Sequence, residues 1–259
     1  MKINNFEKFT AKVESGSCAL GMVITLTDSA VSELAGDAGF DFTWIDMEHS
    51  PLTIQDVSGH ILALRGTDCA PFVRVAGNDP ALIKPVVDLA PAGIIVPMIK
   101  SAEELEDAVS ACRYPPEGTR GCGLRRSVHY GAKPTSVYFA ESDREPLIIA
   151  QIEHIEAVRN LDEILKVKHL GSICIGPYDL SLSYNKPGKF DDPEIIDAID
   201  TVREKTLAAG VMLGGFCATP FWRNRFMNWK AVTGDTDLLA AAFRDKIADW
   251  KETEKQIKR

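Results

Sequence analysis

Short apolar runs alternate with longer amphipathic segments along nearly the whole chain, and this alternation limits the possible folds more than any other feature. Eight of the runs have the length of strands: CALGMVIT, DFTWIDME, APFVRV, GIIVPMI, PLIIAQIE, SICIGPYD, VMLGGF and KAVTGD. Most are apolar at successive positions, which is typical of a parallel sheet that is covered on both faces. Eight strand–helix units predict an α/β fold, a (β/α)8 TIM barrel that forms a single domain over residues 1–259.

The segments between the strands carry helix signals. Single helices are predicted over HIEAVRNLDEILKV and PFWRNRFMNW, a long last helix from about Asp237, and a polar loop at about 115–145. The alternative fold is a doubly wound open sheet, but VITLTDSA after the first strand is not the glycine-rich turn that such sheets usually carry. Candidate helix caps are Asp28 or Ser29, Asp79 followed by Pro80, and Ser101 with Glu104 as a capping box.

The composition is that of an ordinary soluble globular protein, with 45% hydrophobic and 25% charged residues. The net charge of −8 argues against a nucleic-acid partner. We expect no membrane association, because no run approaches ~18 apolar residues and the N-terminus lacks the apolar core of a signal peptide. The six cysteines are scattered, so buried free thiols in a reducing cytoplasm are favoured over a disulfide or metal framework.

Polar side chains gather where the predicted strands end. In a TIM barrel the active site lies at the C-terminal ends of the strands, so these residues are expected to meet at one mouth. They are Asp46, Glu48 and His49 after the second strand, Arg74 after the third, Gln151 and Glu153 after the fifth, and Asp179 after the sixth.

Glu153 and Asp179 are candidate ligands of a hard divalent cation, because two carboxylates offer oxygen atoms and leave positions open for a chelating substrate. Taken singly, either acid could instead be a helix cap or a first-turn acid. Arg74 suits a carboxylate or a developing enolate oxygen, since a guanidinium stays charged and presents fixed donors. His49 is the candidate for proton transfer, with a surface or capping histidine as the alternative.

The neighbours of His49 are expected to have a different role. Side chains alternate in direction along a strand, so we expect Asp46 and Glu48 to orient other groups and not to bind the metal. A structural or surface role is predicted for His60, His129, His154 and His169.

The segment PPEGTRGCGLRR (115–126) is rich in glycine and arginine and could be mistaken for a phosphate-binding loop. It lacks both the GxxxxGK[ST] pattern and a preceding strand, so it is not a P-loop. A mobile or interface loop is the preferred interpretation, although its arginines could still meet an anionic substrate.

Several of these motifs, in this order, resemble the HpcH/HpaI family, the class II metal-dependent pyruvate aldolases of the 4-hydroxy-2-oxoheptanedioate aldolase type. The resemblance covers roughly 18–245. The motifs that carry it are WIDMEHSP, FVRV with NDPALIKPVVDLA, IIVPM, RYPPEGTRG, AQIE and IGPYDLS.

The resemblance implies a lyase that cleaves 4-hydroxy-2-oxo acids into pyruvate and an aldehyde through a metal-bound pyruvate enolate. It implies Mg²⁺, Mn²⁺ or Co²⁺ held by Glu153 and Asp179. By similarity, backbone amides near Tyr178 and Asp179 would bind the pyruvate carboxylate, and Gln151 would hydrogen-bond beside the metal. Arg74 would bind the keto oxygen.

The resemblance also implies an oligomer, a hexamer or a trimer. In that assembly Asp88, on a helix and not at a strand end, would act across a subunit interface on His49, which would move protons. No Schiff-base lysine is needed, and Lys84 and Lys100 are candidates only in principle. No nucleotide cofactor is expected.

Three positions depart from the family pattern. Met47 and Tyr178 stand where smaller residues are common, and Pro91 stands where a glycine is common. Tyr178 would crowd the mouth and change the preferred aldehyde. Two other functions stay open at this point: a citrate-lyase-like cleavage of a CoA thioester by the same metal residues, and a barrel that binds without catalysis.

Overall fold

The computed structural model describes residues 3–217, 219–226 and 228–257 and confirms the predicted TIM barrel. Eight parallel strands close on themselves in sequence order, with the last strand paired to the first. The strands are β1 Ala19–Ile24, β2 Phe42–Asp46, β3 Ala70–Arg74, β4 Gly93–Val96, β5 Leu147–Ile152, β6 Leu170–Ile175, β7 Met212–Phe216 and β8 Trp229–Gly234.

Helices surround the barrel and connect its strands. Two short 3₁₀ turns, Leu64–Gly66 and Arg126–Gly131, accompany them. The α-helices are α1 Phe6–Glu14, α2 Ala30–Asp37, α3 Ile54–Ala63, α4 Pro80–Asp88, α5 Ala102–Cys112, α6 Thr135–Glu141, α7 Ile155–Arg159, α8 Leu161–Ile164, α9 Pro177–Ser183, α10 Pro193–Ala208, α11 Pro220–Arg223 and α12 Asp235–Ile257.

Two predicted helices are shorter than expected. The segment 155–164 divides into α7 and α8 at Asn160, whose side-chain amide donates to the carbonyl of Lys100 at 2.9 Å. The helix predicted over PFWRNRFMNW ends at Arg223, because Phe226 turns into the core and Asn228 accepts from the backbone N–H of Leu213 at 2.8 Å.

Two further boundaries differ from the predictions. The last helix begins at Asp235, two residues before the expected start, and the 115–145 segment contains α6 and a 3₁₀ turn instead of loop alone. The capping box at Ser101 is half formed. The hydroxyl of Ser101 accepts from the Glu104 N–H at 3.2 Å, but the Glu104 carboxylate binds the N–H of Lys100 at 2.7 Å instead of that of Ser101.

The other candidate caps follow the sequence more closely. Asp79 accepts from the N–H of Ala81 at 2.7 Å, and Pro80 begins α4 as predicted. At α2 the side-chain contact comes from Asp28, which accepts from the N–H of Ala30 at 3.0 Å, and not from Ser29.

Aromatic side chains fill the part of the barrel interior near the N-terminal ends of the strands. Phe42 and Phe72 stack at 5.1 Å, and the ring of Trp229 stands edge-on to both. A Cβ at Gly214 would lie 2.0 Å from the Trp229 ring, so only glycine leaves room for the indole there. Inward-pointing side chains fill the interior of an eight-stranded barrel, which makes it a core and not a pore.

Helix α1, which was not predicted from the sequence, closes the N-terminal end of the barrel. Phe9 is 1% exposed and stands edge-on to Phe72 at 4.7 Å and to Phe42 at 6.0 Å. A second buried cluster lies between the strands and the surrounding helices and contains mostly Ile, Val, Leu and Ala. Within the described ranges, no helix is both long and apolar enough to cross a membrane.

Candidate active site

The structure brings most of the predicted site residues to one cavity at the C-terminal ends of the strands. The cavity has a volume of about 390 Å³. His49, Arg74, Gln151, Tyr178 and Asp179 all line it. Their convergence follows from the barrel, because parallel strands end at the same rim.

Arg74 is held by two acids from the end of β2. Its Nε donates to Asp46 Oδ1 at 2.9 Å and its Nη2 to Asp46 Oδ2 at 2.7 Å, a two-pronged pairing that fixes the plane of the guanidinium. Its Nη1 lies 3.0 Å from Glu48 Oε2 as an ion pair. Asp46 and Glu48 therefore orient Arg74, as the sequence predicts.

The pKa of each acid beside Arg74 reflects the balance between burial and the guanidinium. Burial raises the pKa of Asp46, but the hydrogen bonds and charge of Arg74 outweigh it and hold the pKa below its ordinary value. For Glu48 burial prevails, and its pKa is raised despite the charge of Arg74. Glu48 also lies near His49, with 3.8 Å between its Oε2 and the histidine Nε2.

Glu153 is the most buried acid of the site, with 1% of its surface exposed. Its Oε1 accepts from the N–H of Met98 at 2.7 Å, and its Oε2 accepts from the amide of Gln151. Burial, together with the negative charges of Glu48 and Asp179, raises its pKa to about 7, although these two hydrogen bonds lower it. Among the described residues, no cationic side chain compensates the charge of the buried Glu153 carboxylate.

The residues present fit a divalent cation. Glu153 directly follows β5, and Asp179 lies in the first turn of α9 after β6. The side-chain oxygen of Gln151 is buried without a hydrogen-bond partner beside Glu153. A cation with its bound water would neutralise the acids and satisfy that oxygen.

The protein itself supplies only part of a metal shell. In the described part of the chain, no group of three or more His, Cys, Asp or Glu side chains converges as a complete site. The predicted arrangement has two carboxylates only, and the metal and its two ligands stay predictions.

Asp88 lies far from the mouth within one chain. It ends α4, which runs back along the barrel from Arg74 toward the start of β4, so it sits at the N-terminal end of the strands. There its Oδ1 accepts from Nη2 of Arg120 at 3.0 Å. A pairing with His49 therefore requires a second chain, as the sequence analysis supposes, and it stays a prediction.

The 115–126 segment packs against the barrel end that is opposite the mouth. Arg120 and Arg126 are buried, at 6% and 5% exposure. Arg120 donates to the carbonyl of Val87, and Arg126 donates to the carbonyls of Leu89 and Ile3. These two arginines hold the segment in place and are not available to a substrate in the mouth of the same chain.

Two of the remaining histidines have clear structural roles. His60 is buried, with Nδ1 2.8 Å from the Ser32 hydroxyl and Nε2 2.9 Å from the carbonyl of Leu26. His154 caps α7 through Nδ1, which accepts from the N–H of Glu156 at 3.2 Å. Both contacts agree with the structural role predicted for these residues.

Sequence reasoning missed three contributors to the site. Met98 has a left-handed backbone, with φ of 56°, and so directs its N–H toward Glu153. Trp44 and Phe216 line the cavity from β2 and β7. Their positions in apolar runs indicated only core packing, and no sequence signal separates a core aromatic from one at the rim.

Similarity to known proteins agrees with this geometry. Residues 20–234 match the family model described as HpcH/HpaI aldolase/citrate lyase. The hydroxypyruvate/pyruvate aldolase of Roseovarius nubinhibens is 32% identical, over 94% of this chain and 96% of that protein. The 2-keto-3-deoxy-L-rhamnonate aldolase of Klebsiella pneumoniae subsp. pneumoniae is 33% identical, over 93% of this chain and 92% of that protein.

A solved structure shows the same architecture. The crystal structure of an HpcH/HpaI aldolase from Desulfitobacterium hafniense DCB-2 superposes with a TM-score of 0.86 at 25% identity, over 94% of this chain and 96% of that one. The predictions of the family and of a carbon–carbon lyase are confirmed. The chain is a member of the HpcH/HpaI aldolase/citrate lyase family.

Proposed function

We propose that this protein is a divalent-metal-dependent aldolase that cleaves 4-hydroxy-2-oxo acids into pyruvate and an aldehyde. The observation that carries the proposal is a chain of charged neighbours: Glu48 lies beside the guanidinium that it holds with Asp46, and its charge also acts on the buried acid Glu153. An enolate needs both a cation and an oriented donor, and this mouth offers a place for each.

Glu153 and Asp179 would hold Mg²⁺, Mn²⁺ or Co²⁺. The bound cation would supply Lewis acidity, which lowers the free energy of negative charge on the oxygens of the pyruvate half. Gln151 would hydrogen-bond beside it. The N-terminal turn of α9, where Tyr178 and Asp179 lie, presents backbone N–H groups that suit the pyruvate carboxylate.

The chain's own side chains would handle the charge and the proton. Cleavage breaks the C3–C4 bond, and its electron pair enters the enolate of the pyruvate half, where Arg74 donates to the keto oxygen. The proton of the 4-hydroxyl group passes to His49, and the C4–O bond becomes the aldehyde carbonyl. A proton then returns to C3 and completes pyruvate.

His49 is well placed for this exchange of protons. Its side chain is 60% exposed, so it can receive a proton from the substrate and release it to solvent. The protein would be a cytoplasmic homo-oligomer, either a hexamer or a trimer. In that assembly, Asp88 of a neighbouring chain would orient the imidazole of His49. The name of one aldolase relative, the hydroxypyruvate/pyruvate aldolase, favours pyruvate or hydroxypyruvate as the nucleophilic half.

The direct test is exchange of the methyl protons of pyruvate with D₂O, followed by NMR. We expect exchange with Mg²⁺ or Mn²⁺ and none after EDTA treatment, with recovery when metal is returned. Glu153→Gln and Asp179→Asn should both abolish it. No exchange with any of the three metals would falsify the proposal, and turnover of a CoA thioester in place of free hydroxy-oxo acids would establish the citrate-lyase-like alternative.

A further inference from the structure

The cavity at the mouth has a polar side and a mainly apolar side. His49, Arg74, Gln151 and Asp179 form a polar side, on the loops and strand ends of β2, β3, β5 and β6. The other side is mainly apolar. Its large apolar members are Trp44, Phe216, Tyr178, Val23 and Ile175, and its polar members are Thr25, Thr236 and Asp237. The pyruvate half would occupy the polar side, so the apolar side faces the other half of the substrate.

Two aromatic side chains of this wall contact other side chains. The ring of Trp44 lies between the Arg74 guanidinium, at 5.2 Å, and Trp229, at 6.1 Å. Tyr178 stands edge-on to Phe190 at 4.8 Å, although 65% of its surface is exposed. Rigid aromatic surfaces bind apolar groups at low entropic cost because few rotamers are lost.

Small and branched residues line the cavity between the two strands that carry Trp44 and Phe216. Between Phe216 on β7 and Trp44 on β2, the strands β8 and β1 contribute Gly234 and Val23 to the cavity. These two residues are paired in register, and Gly234 has no side chain. The cavity, at about 390 Å³, is much larger than a three-carbon acid requires and lies in the range of pockets that enclose ring-sized ligands.

The charges around the cavity oppose a second anionic group. Among the described residues that line it, Arg74 is the one with a permanent positive charge, and Asp46 and Glu48 already neutralise it. The rim near β8 carries an acid, the exposed Asp237. A carboxylate on the aldehyde half would find like charge there and no unpaired cationic side chain among the described lining residues, which disfavours its binding.

We propose that the aldehyde half of the substrate is uncharged and bears an apolar group, best an aromatic ring, that packs between Trp44 and Phe216. This inference rests on the proposed function and goes beyond it, because it names the class of aldehyde. The substrate class is then a 4-hydroxy-2-oxo acid with one carboxylate and an aryl or bulky alkyl substituent on C4.

The test measures kcat/KM for aldol addition of pyruvate to three aldehydes, with the full-length protein and Mn²⁺. Benzaldehyde and 4-carboxybenzaldehyde differ only in the charged group, and acetaldehyde lacks the ring. We expect benzaldehyde to exceed each of the others by about tenfold or more, the usual scale for one well-packed apolar group. A value for 4-carboxybenzaldehyde or acetaldehyde that equals or exceeds that for benzaldehyde overturns the inference.

Variants locate the effect in the apolar wall. Phe216→Ala should lower the ratio of benzaldehyde to acetaldehyde by about tenfold, since it removes apolar contact from the ring alone. Phe139→Ala changes a 40% exposed phenylalanine on α6 and is the matched control, for which the ratio should not move. The ratio is unaffected by a general loss of active protein. An unchanged ratio in Phe216→Ala overturns the placement of the ring.

Proton exchange of pyruvate, measured without any aldehyde, separates the two proposals. If exchange proceeds and benzaldehyde is not preferred, the aldehyde class is wrong and the aldolase proposal stands. If exchange is absent with every metal, both proposals fail.

Discussion

Arg74 and Asp46 face each other as a two-pronged ion pair at the barrel mouth, with donor–acceptor distances of 2.9 and 2.7 Å. They are neighbours in register on β3 and β2, so the backbone pairing of the two strands already aligns their side chains. Both are buried, at 9% and 3% exposure. The plane of the guanidinium is therefore set before any substrate binds, and its remaining donor Nη1 lies beside Glu48.

We predict that Arg74→Lys lowers the rate of pyruvate proton exchange by about 10²–10³, the usual effect of losing one oriented donor to a developing oxyanion. Lysine keeps the positive charge but cannot reproduce the planar fork that Asp46 holds. Rates at saturating pyruvate and metal measure the loss. Arg144→Lys, on an exposed arginine that does not line the cavity, is the control, and equal activity of the two variants would contradict the prediction.

The second prediction concerns stability and pH in the protein stripped of divalent cations. The pKa of Glu153 is about 7 in the folded chain against an ordinary value of 4.5. The folded state thus binds an extra proton between these pH values, and the free energy of unfolding should fall as the pH rises through this window. The loss approaches about 3 kcal/mol, at 1.4 kcal/mol per pKa unit.

Urea unfolding with EDTA, at pH 5 and pH 8, measures this effect. The glutamine of Glu153→Gln does not titrate. The unfolding free energy of the variant minus that of the original chain should therefore increase by up to about 3 kcal/mol from pH 5 to pH 8. Mn²⁺ should restore stability at pH 8 to the original chain and not to the variant. If the unfolding free energies of the two proteins change in parallel with pH, Glu153 does not hold a proton in this pH range.

Gly176 gives a third prediction, since it lies directly against the acid side of the site. A Cβ at this position would fall 2.2 Å from Glu153 Oε2 and 2.9 Å from Gln151 Nε2. Gly176→Ala should therefore displace Glu153 and weaken Mn²⁺ binding by about 10–100-fold. Calorimetric titration measures the affinity. Gly66→Ala, where nothing lies within 4 Å of the new methyl group, should bind as the original chain does.

A fourth prediction concerns the helix that closes the barrel end opposite the mouth. Phe9→Ala should destabilise the protein by about 3–5 kcal/mol, because it leaves a cavity beneath Phe42 and Phe72. Chemical unfolding measures the loss, and Leu34→Ala, on a 67% exposed leucine, provides the comparison. Proton exchange at low temperature should survive in Phe9→Ala. A loss below 1 kcal/mol would mean that α1 is not part of the core.

The fifth prediction tests whether Asp88 acts across a subunit interface. His49→Ala and Asp88→Ala should each lose most proton exchange. Co-expression of the two variants should restore part of it, because a mixed assembly contains sites with His49 from one chain and Asp88 from another. The Asp88→Ala protein also loses an ion pair to Arg120, so circular dichroism must show that it is folded. If the co-expressed variants stay inactive, the site is not shared between two chains.

Local pattern was enough to predict the barrel and much of its mouth. Apolar runs at regular intervals require a covered parallel sheet, and the closed barrel then brings every strand end to one rim. His49, Arg74, Gln151 and Asp179 line the cavity for this reason, as the order of the residues alone predicts. The helix cap at Asp79 likewise depends on a contact within a few residues.

Other features could be decided only by contacts between distant parts of the chain. The pKa of Glu153 depends on its burial and on Met98, Glu48 and Asp179, which other elements bring to it. Helix α1 is part of the fold because Phe9 meets Phe72, a partner 63 residues away in sequence.

The sequence by itself determined which residues stand at strand ends, because side-chain period and strand spacing are local properties. Only the tertiary structure decided that Asp46 and Glu48 bind Arg74, that Asp88 lies at the far end of the barrel, and that Trp44 and Phe216 form an apolar wall. The physical reason is that burial, hydrogen-bond geometry and cavity shape depend on residues that pack together from different strands, and such packing has no signature in a local pattern.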